Sequence, residues 1–452
     1  MRTLIKGGRV VNEGHNTIQN IVIEGDTIVE VSTQNFNDND FDHVIDASNC
    51  YVMPGIIDTH VHFREPGLTH KADMETESRA AVYGGVTTVF EMPNTKPQTT
   101  DAEALATKYD IAKEKMHTNY TFFPGATNDN IEFLRSLNPH DIPGIKLFMG
   151  SSTGNMLVDK GQALDDIFQL AHDMDMPLMA HCEDTDTINA NMARIKEEQG
   201  TDDPAVTFHP LIRSREACMK SSALAISLAQ KHDARLHIAH VSTAEEVEML
   251  QQATAQTAAP KITGEATVAH LTFSDEDYLT LGAHIKCNPA IKSAADREAL
   301  RKAIATPSAI CTIGTDHAPH AIEEKQGGAA KAMSGMPSVQ YSLPCMLELV
   351  CQNVLTIEQL VCLMAHNPAT LFAIDQRGFL RKGYKADIAI VKQCNEPWTV
   401  TPDDIQSKCH WSPMEGMKLH WQVKQTIVSG QIAYDNGTFD NGAHGQQLTF
   451  RN

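Results

Sequence analysis

No stretch of this 452-residue chain reaches the roughly 18 consecutive apolar residues that a membrane-spanning helix needs. The N-terminus, MRTLIKGGRVVNEG, lacks the apolar centre of a secretory signal and already alternates as a strand does. Basic residues are scarce. Thirty-seven Lys and Arg stand against 57 Asp and Glu, a formal net charge of −20, which speaks against nucleic acid as a partner because phosphate backbones demand basic surfaces. An anionic small molecule could bind only where a cation is placed for it, which makes Arg64 a residue to follow. None of the ten cysteines forms a C-x-x-C pair. They are scattered through apolar runs, as the reduced thiols of cytoplasmic proteins are, so a cytoplasmic chain without disulfides is expected. Low-complexity tracts and repeats of 20–50 residues are also missing. What is present is a soluble, globular composition, 42% hydrophobic, on a chain long enough to bury its own core.

The chain changes rhythm twice. Residues 1–53 carry short alternating runs (TLIKGGRVV, NIVIEGDTIVEV, HVIDASNCYVM) separated by Gly, Asn and Asp. From Pro54 to about residue 375, apolar strand-like runs alternate with helical stretches such as MARIKEEQG and AEEVEMLQQATAQ. Eight runs fit strands: GIIDTHVHF, VTTVFEMP, YTFFPGAT, GIKLFMG, PLMAHCE, LHIAHVS, KITGEAT and AICTIGTDHAP. AHIKCNPAI reads as one further strand-like piece, and His366-Asn367-Pro368 as a helix start with Asn as N-cap. After residue 375 short strands return, with Asn-Gly and Asp-Asn turn signals. The expected fold is α/β, a (β/α)₈ TIM-type barrel over 54–375, with a small β-sandwich domain built from both termini, 1–53 and 376–452.

Chemistry-bearing residues gather where such a barrel works, at the C-terminal ends of its strands. His60 and His62 are two apart on the first strand and share a face, which sets two nitrogens near one point. Asp58 precedes them on that face and reads as an orienting partner for a ligand histidine. The fourth strand carries Lys146 in an apolar run, where an unpaired ammonium is costly. The fifth strand ends in His181. The sixth has His237 and His240, three apart and so expected on opposite sides, with His240 the better ligand and His237 structural. The eighth ends in Asp316, His317 and His320, and His317 falls one residue off the inward face. Nitrogen and oxygen donors in this set suit Zn²⁺ and similar ions, and six are too many for one tetrahedral zinc. Two metals would use them, with Lys146 able to join only as a CO₂ adduct.

The motifs PGIIDTHVHFREPGLTHKADMETESRAAVYGGVTTVFEMPNTKP, GIKLFMG, AHCED, AHVST, KCNPA, GTDHAPH and HNPATLF…KADIAIV resemble the dihydroorotases of the cyclic amidohydrolase superfamily. The resemblance spans nearly the whole chain. HFREPG with MPNT is its most specific part, since hydantoinases and allantoinases usually lack that arginine and that Asn-Thr. The resemblance implies two Zn²⁺ per subunit: His60, His62 and Asp316 on one, His181 and His240 on the other, carboxylated Lys146 bridging them. It implies Asp316 as the proton-transferring residue, and Arg64, Asn94, Asn288 and His320 as contacts to the substrate carboxylate. For Asn94 and Asn288, turn chemistry beside proline is the competing reading. Ser152 and Thr153, between two glycines after Lys146, fit either a substrate-closing loop or an ordinary polar turn. The resemblance further implies a homo-oligomer, dimer or tetramer, acting on small molecules. This chain has NPAIK for the usual NPPLR and GEATVAHL where TPHH is common, so no role for Glu265 or His270 is implied. The segment Ser334 to Pro344 stands near a loop that contacts the ring. The activity implied is reversible hydrolysis of dihydroorotate to N-carbamoyl-aspartate. A hydantoinase, dihydropyrimidinase or allantoinase, or an inactive amidohydrolase-like scaffold, are the alternatives, and the scaffold would be expected to have lost ligands that are all present here.

Overall fold

The computed structural model describes residues 1–150, 156–255 and 261–451. Eight parallel strands follow one another: Ile56–Val61, Val86–Glu91, Asn119–Phe122, Ile145–Phe148, Leu178–His181, Leu236–Ile238, Ile262–Thr267 and Ile310–Gly314. They pair in chain order as one run of three and one of five. Backbone bonds close both gaps. Lys146 N donates to Pro124 O and Ala126 N donates to Lys146 O, both at 2.9 Å, joining the third strand's end to the fourth, and His62 N donates to His317 O at 2.7 Å, joining the first to the eighth. The eight sequence-predicted runs are these eight strands. Their near-continuous apolar character follows from burial on both faces, since every residue of the first, second, fourth and fifth is buried.

Helices form the outer ring. Asp73, Asp101, Asp184, Ser214, Thr243 and Ser293 stand at helix N-caps, each accepting from a first-turn N–H, a contact worth about 1 kcal/mol. The stretch MARIKEEQ lies in Thr185–Gln199, which Gly200 ends at φ 60°, and AEEVEMLQQAT is Ala244–Thr254. Two expectations fail. AHIKCNPAI is not a strand: Gly282–Ile285 is a 3₁₀ turn, Gly282 takes φ 56°, and Pro289 has no N–H for a ladder. Asn367 is not an N-cap, because the backbone is already helical at His366 (φ −68°, ψ −48°) through the wide turn Cys362–His366, and the Asn367 amide instead donates to Cys311 O at 2.8 Å.

Both termini build one nine-stranded sheet. Its joint is Tyr51–Pro54, parallel to Arg2–Asn12 on one side and antiparallel to Ile388–Thr399 on the other. One face curls around Ile5, Ile21, Ile23, Val52, Ile388 and Ile427. Its last hairpin turns at Asn436-Gly437, both at positive φ, as the sequence signal implies. The chain then leaves this sheet. Tyr120 N donates to Gln446 O and Leu448 N to Tyr120 O, both at 3.0 Å. Leu448 and Phe450 thereby pack with Phe90, Phe123 and Phe372 and plug the barrel floor, opposite the strand ends that carry the polar residues.

Candidate active site

At the barrel mouth, three acceptors converge. Asp316 Oδ1 lies 3.0 Å from His62 Nε2 and 3.3 Å from His60 Nε2. The protons of both rings are used elsewhere: His60 Nδ1 donates to Glu265 Oε1 and His62 Nδ1 to Asn94 Oδ1, each at 2.7 Å. Two lone pairs and a carboxylate therefore face one another. Protonating His62 does not relieve this, because burial pulls it down to about 4. A bound cation does relieve it, and neutral imidazoles are the form that ligates metal. Burial opposes ionisation of Asp316, yet His60, His62 and Lys146 hold its carboxyl well below the usual range.

A second group stands beside the first. His181 Nδ1 is 2.9 Å from His240 Nε2, and Glu183 Oε2 is 3.1 Å from His181 Nε2. His240 Nδ1 is buried with no partner among the described residues. Burial lowers both histidines. Arg213 pairs with Glu183, whose carboxyl stays ionised, down to about 2, because Arg213 and His181 outweigh its burial. Lys146 Nζ is wholly buried and has no hydrogen-bond partner among the described residues, with the Phe148 ring 5.1 Å away. Burial pulls this amine down to about 8. A buried lysine that pairs with none of the described residues fits a group altered to an anion. All six sequence-predicted ligands line one cleft of about 400 Å³. Orphaned Lys146, the facing lone pairs and neutral imidazoles all fit divalent metal.

Local backbone explains the convergence. Arg64, His240 and Asp316 all lie just past strand ends at positive φ, 69°, 38° and 51°, conformations that redirect side chains and are uncommon outside glycine. Strict alternation therefore fails on the sixth strand, and the opposite-sides expectation is corrected. His237 also points inward, deeper down, donating and accepting between Thr263 (2.8 Å) and Thr312 (3.1 Å). It shares the Phe372 ring with Phe90 of the second strand, a contact possible only inside the barrel. Its structural role stands. His317 is held by Glu77 Oε2 at 2.8 Å and accepts from Ser338 N.

Glu265 is the residue sequence reasoning left without a role. It takes His60 Nδ1–H, the His240 N–H (3.2 Å) and the Thr59 hydroxyl (3.2 Å), tying the first strand to the sixth. A Cβ on Gly314 would sit 2.4 Å from its Oε2, so any larger residue there would displace the Glu265 carboxylate. Asp58 acts otherwise than expected. It accepts from His60 N and from Thr315 N and Oγ1, and so fixes backbone, while Glu265 holds the ring. Glu183 sits in the AHCED motif two residues past His181, and Glu265 within its strand two residues past Thr263, but neither spacing announces the ring it holds.

Arg64, Asn94, Asn288 and Ser334-Gly335 also line the cleft. Arg64 is buried, with Nε donating to Pro319 O at 2.9 Å and Nη2 3.0 Å from His320 Nε2, and no described residue takes Nη1. Burial lowers it to about 10, so it remains a cation. His320 stands behind Arg64, off the cleft wall, its Nδ1 3.1 Å from Lys71 Nζ. Asn94 gives its Oδ1 to His62, and Asn288 Oδ1 is buried without a partner among the described residues. His270 is satisfied by Thr267 and Pro289 O. Ser152 and Thr153 lie outside the described residues.

Residues 51–433 match the model of the amidohydrolase family. A protein named dihydroorotase from Methanosphaera stadtmanae is 31% identical, covering 94% of this chain and 95% of its own. Another of that name, from Lactobacillus johnsonii, is 32% identical over 97% and 100%. Among solved structures, an L-hydantoinase (dihydropyrimidinase) from Arthrobacter aurescens superposes with a TM-score of 0.92 at 26% identity, covering 99% of both chains. A dihydropyrimidinase from Brevibacillus agri gives 0.91 at 24% over the full length of both and speaks to the fold alone.

Proposed function

Because the chain belongs to the amidohydrolase family and is a cyclic amidohydrolase, we propose that its substrate is dihydroorotate, opened to N-carbamoyl-aspartate and closed again in the biosynthetic direction, within pyrimidine synthesis. The observation that carries this is Arg64. A guanidinium buried at the cleft wall, two residues past the histidine pair, is a costly feature unless an anion meets it. Dihydroorotate carries a carboxylate that a planar guanidinium matches well.

His60, His62 and Asp316 would hold one Zn²⁺, and His181 and His240 a second, with carboxylated Lys146 shared between them. Such ions, when bound, supply Lewis acidity to a water and to the ring amide carbonyl. Arg64 Nη1 holds the substrate carboxylate, with Asn288 and the Ser334-Gly335 wall bounding the ring. Asn94 keeps His62 turned by accepting its Nδ1–H and presents its amide to the same cleft; His320, packed behind Arg64, holds the guanidinium in place. Asp316 accepts a proton from the attacking water at its carboxylate and returns it to the departing ring nitrogen, so the leaving group departs as a neutral amide. Phe148 limits water on one side of the cleft. A reducing cytoplasm agrees with ten free cysteines, and a homo-oligomer is expected by analogy with such enzymes.

The hydantoinase-like neighbour favours a second reading, hydrolysis of an uncharged ring by the same centre. Arg64→Ala separates the two. Loss of dihydroorotate hydrolysis by about 10- to 100-fold in kcat/KM with metal content retained is expected, from the 1.5–3 kcal/mol of a hydrogen bond to a charged group. Unchanged turnover of dihydroorotate in that variant would defeat the proposal.

A further inference from the structure

On the outside of the barrel, the helix Ser342–Cys351 packs against the strand Lys418–Val428 of the terminal sheet. There Glu348, Cys351 and His420 bring one carboxylate oxygen, one sulfur and one imidazole nitrogen within 4.8 Å of one another. We propose that these three residues form a second kind of metal site, one that takes a thiophilic divalent cation such as Zn²⁺ and staples the barrel to the terminal sheet.

The chemistry of the donors supports this. Sulfur, nitrogen and carboxylate oxygen are the three donor types zinc accepts, and three protein ligands plus solvent complete a tetrahedron. Glu348 and Cys351 are three apart on one helix, so they share a face, and His420 meets them from the strand. The carboxylate is already aimed. Glu348 Oε2 is 2.9 Å from His420 Nδ1, and its other oxygen accepts from His420 N. The sulfur is prepared as a metal-bound thiolate would be. Trp421 Nε1 donates to it at 3.1 Å and Gln393 Nε2 at 3.5 Å, two N–H groups directed at one thiol. Trp421 is itself fixed, edge-on to Tyr51 with ring centroids 5.3 Å apart and accepting at its carbonyl from Trp398 Nε1 at 3.0 Å. Glu348 is 13% exposed and His420 42%, so an ion and its water can enter without unfolding anything. Binding displaces the Cys351 thiol proton, and thiolate plus carboxylate then neutralise the ion's charge.

Among the described residues no cysteine lines the catalytic cleft, so sulfur distinguishes the two kinds of site. The full-length chain is stripped of metal and titrated with Co²⁺ alone. A thiolate-to-cobalt charge-transfer band is expected whose plateau corresponds to one cobalt–thiolate centre per chain, whatever cobalt the catalytic cleft takes up besides. Cys351→Ser abolishes it, and His420→Gln, with the thiol intact, weakens it by about tenfold or more. Both variants retain cyclic amide hydrolysis, which certifies their fold. Absence of the band in the unaltered chain, or a band of equal strength in Cys351→Ser, overturns the assignment.

Discussion

Replacing Glu265 by Gln keeps the side chain's size and removes its charge. The carboxylate accepts three donors: His60 Nδ1 at 2.7 Å, His240 N at 3.2 Å and Thr59 Oγ1 at 3.2 Å. An amide oxygen in the Oε1 position still serves His60 and His240, and its NH₂ faces the Thr59 hydroxyl, which can accept. What is lost is the charge assistance on the His60 bond. Charged hydrogen bonds contribute about 1.5–3 kcal/mol against about 1 for neutral ones, a difference of roughly 0.5–2 kcal/mol. Partners of metal-bound histidines cost about 10- to 100-fold in affinity when altered, or about 1.4–2.7 kcal/mol, and the two routes overlap at about 1.4–2 kcal/mol. Glu265 does not itself line the cleft and meets it only through His60 and His240, so KM for the substrate should hold while metal is lost. Zinc content is measured after equilibration against a graded chelator series, with kinetics at saturating zinc alongside. A variant that binds zinc within twofold of the parent, or that loses KM instead, would refute the role given to Glu265.

Lys146→Met is expected to lose metal and activity together; in the parent, labelled bicarbonate should give a carbamate ¹³C resonance that grows as pH rises toward about 8, since only the neutral amine adds CO₂ and burial sets its midpoint there. A resonance of equal strength in Lys146→Met would place the adduct elsewhere. Phe450→Ala should cost about 3–5 kcal/mol of stability in denaturant unfolding, as large-to-small core changes do, while leaving KM unchanged, because Phe450 plugs the floor and the cleft opens at the other end.

The barrel was legible because fully buried strands read as unbroken apolar runs and capped helices announce their starts. The candidate ligand set was legible because strand ends are where a barrel gathers side chains: His60, His62, Lys146, His181, His240 and Asp316 line one cleft. Three things were hidden. Positive φ at Arg64, His240 and Asp316 redirects side chains after the strand ends, so counting residues put His237 on the wrong side. Glu265 and Glu183 hold ligand rings across strands, and such pairing is a property of tertiary register that no local spacing reveals. His320 carries the right chemistry for an anion, yet its surroundings, Arg64 on one nitrogen and Lys71 on the other, set it behind the wall.

The central claim is that Arg64 makes this centre an enzyme for a carboxylated ring. Its most direct test compares kcat/KM of the zinc-loaded chain for dihydroorotate and for 5,6-dihydrouracil, the same ring without the carboxylate. Preference for dihydroorotate by about 10-fold or more is predicted, the value of one charge-assisted contact. Equal or faster turnover of dihydrouracil would contradict it.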